Sequence, residues 1–188
     1  MPQCDNQQAP CLSYTHPEFD HVCQAELVKK LTVKEIANDS GFSTSLALDD
    51  IETGKNDCLD SGQYLAGLKN KTGLYQLWVN ADFCIDHNEF LMQGVYVGTQ
   101  FSECEISKRI RDKWPDADRL YISFYQCEHR IAKYLEQLFL ENYSFHLNEA
   151  GNTGNKPLYT RWDYERFNFG TELFEEGEAF SLTDGGYL

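Results

Sequence analysis

Gly73-Leu74-Tyr75 and Tyr96-Val97-Gly98 decide the reading of this chain. Each is a short apolar run with a glycine at one end and a tyrosine at the other. Either tripeptide alone says little, because the 188 residues hold 13 Gly and 11 Tyr. Leu74 to Val79 is rich in aromatic and branched residues and predicts a strand. Val95 to Val97 begins the return strand, and Leu120 to Cys127, alternating aromatic and polar residues, is a third. Asn80 to Gln93 is polar, with Asp82, Asp86, His87, Asn88 and Glu89, and predicts a long hairpin loop. It has neither the spacing nor the glycine of an EF-hand calcium loop.

Two helices follow those strands. Ser102-x-x-Glu105 has capping-box form and opens a helix through Trp114, ahead of Pro115. Its apolar stripe is Ile106, Ile110 and Trp114, and Arg109 lies about 60° from Ile106 around the wheel, on the shoulder of that stripe. From about Glu128 to Asn142 a long helix buries Ile131, Leu135, Leu138 and Phe139. Glu136 sits on the edge of that stripe, where an acid can point into a cleft. Gly151 to Pro157 is a loop by composition. The expected fold is α/β (α+β): a small three-stranded, mainly antiparallel sheet flanked by helices in β-β-α-β-α order.

The chain length fits one domain with elaborations. Residues 1–70 read as an N-terminal helical extension, 71–155 as the core, and 156–188 as an acidic segment wrapped on it. Thr32-Val33-Lys34-Glu35 is a second capping box, with Gly41 as a helix stop. Thr32 to Gly54 superficially resembles a helix-turn-helix, but Ser45 to Glu52, where a reading helix would lie, offers three acids and no Lys or Arg. A helical packing unit is the expectation there. No apolar run approaches the ~20 residues of a membrane span, and the first residues lack the basic start of a secretory signal, so a cytoplasmic protein is expected. Seven cysteines without paired short spacings suit a reducing compartment. Cys11, His16, His21 and Cys23 form a Cys/His cluster whose intervals match no usual zinc finger; zinc and ordinary thiols both stay open there.

Formal net charge is −14, the opposite of a typical nucleic-acid binder. The excess is uneven. Residues 1–72 carry 6 basic against 11 acidic side chains, and residues 156–188 carry 3 against 7, whereas residues 94–148 carry 7 against 8. The segment with Arg109 and Glu136 is thus nearly neutral between acidic flanks, and any polyanion needs a local basic groove.

The ordered set of Tyr75, Tyr96, Arg109, Glu136 and Asn148 fits phosphodiester hydrolysis. That reaction needs an activated water, charge stabilisation on the phosphoryl oxygens and help for the leaving oxygen. A carboxylate holding Mg²⁺, a guanidinium on the phosphate and a tyrosine in a positive field supply these. Residues 73–148, about two fifths of the chain, resemble the GIY-YIG endonuclease superfamily. Gly73-Leu74-Tyr75 stands for its first motif and Tyr96-Val97-Gly98 for its second. Ser107-Lys108-Arg109-Ile110 is similar to the basic segment on the first helix of its excision-repair member, and Leu135-Glu136 through Asn148 to its glutamate helix and closing asparagine. The resemblance implies a DNA endonuclease using one Mg²⁺ or Mn²⁺. Tyr75 would be the general base, Tyr96 a second tyrosine lining the site, Arg109 the phosphate ligand and Glu136 the metal ligand, with Asn148, Gly73 and Gly98 supporting the site. The connection from Gly98 is longer than in compact members, which leaves Arg111 as the alternative to Arg109. The substrate implied is duplex or branched DNA, with a regulatory protein partner at the acidic flanks and no membrane. A silent interaction module on the same fold, or a toxin-like nuclease held by a partner, are the alternatives.

Overall fold

The computed structural model describes residues 31–37, 42–47, 68, 71–100, 109–110 and 119–170. In chain order these form helix α1 (Val33–Ala37), strands β1 (Phe42–Ala47), β2 (Gly73–Cys84), β3 (Glu89–Gln100) and β4 (Arg119–Gln126), and helix α2 (His129–Asn142). Then come β5 (Tyr143–Ser144), β6 (Lys156–Pro157), β7 (Tyr159–Asp163) and helix α3 (Tyr164–Phe169). The protein is mixed α/β, with one antiparallel sheet of order β1-β4-β2-β3-β7 and few helices.

The three strands expected from the sequence are the centre of this sheet, and the expected count of three is corrected to five. β1 pairs with β4 from Phe42–Phe124 to Ala47–Arg119, so Ser45 to Ala47, expected to open a helix, are strand. The capping box before it does form: the Thr32 hydroxyl accepts from the Glu35 N–H at 3.1 Å, and the Glu35 carboxylate accepts from the Thr32 N–H at 2.8 Å. β7 pairs with β3 from Glu89–Asp163 to Gln93–Tyr159, so part of the expected wrapping segment is an edge strand. The Cys11/His16/His21/Cys23 cluster, Ser102 to Lys108, Arg111 to Trp114 and residues 171–188 lie outside the described residues.

The long loop expected over Asn80 to Gln93 is also corrected. β2 and β3 run antiparallel from Gly73–Gln100 to Cys84–Glu89, closed by the four residues Ile85 to Asn88. Asn88 supplies the left-handed backbone of the turn at φ 53°, a conformation asparagine tolerates. The first half of β2 is buried on both faces, and the second half turns half to solvent. That change explains the polar composition, because a strand with one wet face needs polar residues there.

Two apolar layers cover the sheet. On one face, Ala132, Leu135, Leu138 and Phe139 of α2 meet Leu74, Trp78 and Val97. On the other, Leu68 and Ile110 join Tyr75, Leu77, Val95, Tyr96, Leu120, Ile122 and Phe124. The Trp78 indole donates to the Ser123 hydroxyl at 2.8 Å, tying β2 to β4 inside the first layer.

Gly73 is fixed by sterics. A Cβ there would run into the Tyr125 carbonyl oxygen and lie 2.7 Å from the Phe124 ring. Backbone between two central strands cannot yield as a side-chain tip can. Gly73→Ala is expected to lower stability by about 3 kcal/mol or more, read as the midpoint of urea unfolding; an unchanged midpoint would contradict this packing.

Candidate active site

The site forms at the upper edge of β3. Strand β7 covers only Glu89 to Gln93, so the backbone of Gly94 to Gln100 must find partners elsewhere. The loops after α2 supply them. Gly94 N–H donates to the Leu158 carbonyl at 2.9 Å, and Leu147 N–H donates to the Val95 carbonyl at 3.0 Å. Asn148 then holds Val97 from both sides: Val97 N–H donates to Asn148 Oδ1 at 3.0 Å, and Asn148 Nδ2 donates to the Val97 carbonyl at 2.9 Å. Asn148 thus grips the residue between Tyr96 and Gly98. Asn152 repeats the device on Phe145, at 3.0 and 2.8 Å, and steadies the loop that carries Asn148.

Sheet register brings the two tyrosines together. Tyr75 lies opposite Gly98, and Leu77 opposite Tyr96; the next pair is Trp78–Gly94, which leaves Val95 as an extra residue on β3. Such a bulge re-aims the neighbouring side chains. Tyr75 and Tyr96 end on the same face with ring centroids 5.7 Å apart. Gly98 makes room for them: a Cβ there would sit 2.9 Å from the Tyr75 hydroxyl and 2.8 Å from the Tyr96 ring. Both glycines of the two tripeptides are therefore explained by close approach rather than by backbone angle.

Arg109, in a helical turn ahead of β4, donates from Nη1 to the Tyr96 hydroxyl at 3.2 Å. Glu136 arrives from α2, half-buried, with its carboxylate within reach of the Thr99 hydroxyl. Its charge and that of Arg109 both act on the Tyr75 hydroxyl. Tyr75, Tyr96 and Arg109 thus meet on one face of the sheet, and the Glu136 charge reaches the Tyr75 phenol from α2 on the other layer.

Electrostatics set the resting state. Burial first, and then the Tyr96 hydroxyl beside it, push the Tyr75 phenol well above its ordinary value of 10.0; Glu136 adds to the rise and Arg109 opposes it. The positive field expected to favour phenolate is present but outweighed, because the ring is fully buried. The Tyr75 hydroxyl has no partner in hydrogen-bonding geometry, although the Tyr96 hydroxyl is near enough to interact. Burial also raises the Glu136 carboxyl, against the pull of Lys133, Arg109 and the Thr99 hydrogen bond.

The donor set suits a hard divalent cation. Among the described residues no group of three or more His, Cys, Asp and Glu side chains gathers. Glu136 is a carboxylate whose charge reaches the orphaned Tyr75 phenol oxygen, and a single carboxylate is the kind of ligand with which Mg²⁺ keeps most of its waters and shares a substrate phosphate. Thr99 and Lys133 are the residues that sequence reasoning did not single out. Thr99 was findable, since it follows Tyr96-Val97-Gly98 and strand alternation turns it toward α2.

No family model, curated protein or solved structure matches the chain.

Proposed function

We propose that this protein is a divalent-metal-dependent endonuclease that hydrolyses DNA phosphodiester bonds. The contact of Tyr75, Tyr96 and Arg109, with the Glu136 charge acting on the same phenol, carries that reading. It stands on the finer arrangement foreseen in the sequence, a β-β-α-β-α unit over residues 73–148, of which the first strand, the return strand, the third strand and the closing helix are described.

In this reading a water oxygen attacks phosphorus and the opposite P–O bond breaks. The Arg109 guanidinium, exposed but anchored on Tyr96, presents its fork of N–H groups to the phosphoryl oxygens. Tyr75, in its ionised form, takes the proton of the attacking water, and the departing oxygen takes one from solvent. A Mg²⁺ or Mn²⁺ ion held by Glu136 would supply Lewis acidity at the phosphate and the leaving oxygen. An ion bound there would offset the Glu136 charge, the smallest of the influences on the Tyr75 phenol.

Charge is polarised along the sheet in a direction that favours this reading. Where Gly73, Gln100 and Gln126 lie abreast, the described residues include Lys71, Arg109, Arg130 and Lys133 against Glu128 and Glu136. Toward the hairpin end are Asp82, Asp86, Glu89, Asp163 and Glu165 against Arg119, Arg161 and Arg166. A polyanion is drawn to the first end and turned from the second. Arg130→Ala and Lys133→Ala, each in a Glu136→Gln background, are expected to weaken duplex binding and to lower the salt slope by about one apiece. Fluorescence anisotropy across a salt series reads this, and unchanged slopes would place DNA elsewhere.

The reading itself is tested by cleavage of duplex, single-stranded and branched DNA with and without Mg²⁺, Glu136→Gln alongside. The silent-module reading draws on the sealed Tyr75 ring and the charge of −14. It requires wild type and Glu136→Gln to leave the same background cleavage and to take up no Mn²⁺ at this site.

A further inference from the structure

We infer that Thr99 is the positioning residue of this site, its hydroxyl holding one oxygen of the Glu136 carboxylate so that the other faces the β3 edge. The inference rests on the nuclease reading for its functional meaning, and on sheet geometry for its structural content. Thr99 lies opposite Leu74, which packs against α2, while its neighbour Gly98 lies opposite Tyr75 on the other layer. The consecutive residues Gly98 and Thr99 therefore address the two faces of one strand. Gly98 clears space for the phenol of the candidate base, and Thr99 turns toward α2 with its hydroxyl within reach of the carboxylate of the candidate metal ligand. One rigid dipeptide, with the preceding Val97 clamped by Asn148, sets the base and the carboxylate relative to each other.

The chemistry of threonine suits the task. Thr99 is buried in the sheet. Branching at Cβ leaves χ1 few choices in a strand. A hydroxyl donating to an ionised carboxylate makes a charge-assisted bond, shorter and stronger than a neutral one. Glu136, on a half-buried helix shoulder, otherwise has three side-chain torsions and a Lys133 one turn away to lean toward. A group that orients a metal-binding carboxylate typically changes affinity or activity by about 10- to 100-fold when removed.

The experiment compares wild type, Thr99→Val and Thr99→Ser. Valine keeps the shape and deletes the donor; serine keeps the donor and deletes the methyl. Mn²⁺ titration calorimetry, kcat and KM on duplex DNA, and crystal structures of all three proteins are the readouts. Thr99→Val is expected to bind Mn²⁺ about 10- to 100-fold more weakly and to lose a comparable factor in kcat, with KM for DNA little changed and the Glu136 side chain in more than one rotamer. Thr99→Ser is expected to restore all three. Wild-type metal affinity and kcat in Thr99→Val would overturn the inference. So would equal impairment in the serine variant, since packing and not the hydroxyl would then be responsible. If wild type neither binds Mn²⁺ nor cuts, the nuclease reading falls; a Glu136 rotamer ordered equally in wild type and Thr99→Val would then overturn the positioning role as well.

Discussion

Glu136→Gln is expected to remove metal-dependent cleavage by about three orders of magnitude while making the metal-free protein harder to unfold at neutral pH. The first effect follows from deleting the carboxylate that would carry the cation, since Lewis-acid stabilisation of several kcal/mol converts to about a thousandfold in rate. The second follows from burial, the largest influence on this group, which raises the Glu136 carboxyl above its ordinary value of 4.5 in the folded state. A carboxyl with a raised folded value favours folding while it is protonated. That contribution is complete below the ordinary value and is lost as pH rises through the raised one. The substituted glutamine carries no charge at any pH and still offers an oxygen to the Thr99 hydroxyl. Below pH 4.5 the variant should therefore melt together with wild type, and at neutral pH it should melt at the higher temperature, both in EDTA. Thermal melts across that range read the divergence. A variant less stable than wild type at neutral pH would show that Glu136 serves the fold and not a ligand.

The candidate site is legible in the sequence where its chemistry coincides with a strong local pattern. Tyr75 and Tyr96 fall in apolar runs bounded by glycine, and both glycines prove to be places where a Cβ would collide. Glu136 is legible because the helix stripe of Leu135, Leu138 and Phe139 is regular, so an acid on its shoulder stands out. Asn148 has only its place in the order; what it grips, the two backbone groups of Val97, is a contact across 51 residues that no local pattern records. The outer strands are hidden for a related reason. Phe42-Ser43-Thr44-Ser45 and Tyr159-Thr160-Arg161 carry few branched apolar residues, and they become strands by adding to edges that β4 and β3 present. The distal arms of the β2–β3 hairpin have the composition of a loop because their polar residues face water. Tertiary context also reverses the electrostatic expectation for Tyr75. Arg109 is close enough to act, yet burial of the ring outweighs it, and burial at a strand position depends on what covers the sheet rather than on the residue itself.

That reversal makes Tyr75→Phe the sharpest test of the base. The substitution keeps the ring and its contact with Tyr96 and deletes one hydroxyl that is fully buried with no partner in hydrogen-bonding geometry. A buried hydroxyl without a partner costs about 1–3 kcal/mol, so phenylalanine should leave stability unchanged or raise it. Activity should fall by about 10²- to 10⁴-fold, the usual contribution of a positioned proton acceptor. Because the phenol sits well above its ordinary value, wild-type kcat should climb about tenfold per pH unit through neutrality. Tyr75→Phe should be nearly flat over the same range. Two neighbours then move the wild-type limb in opposite directions. Arg109→Ala removes the charge that lowers the phenol and shifts the limb to higher pH. Tyr96→Phe removes a hydroxyl that raises it and shifts the limb to lower pH. A structural tyrosine would lose stability in Tyr75→Phe and leave no pH signature. A rate that ignores pH in wild type, or limbs that move together in the two neighbour variants, would take the base away from Tyr75.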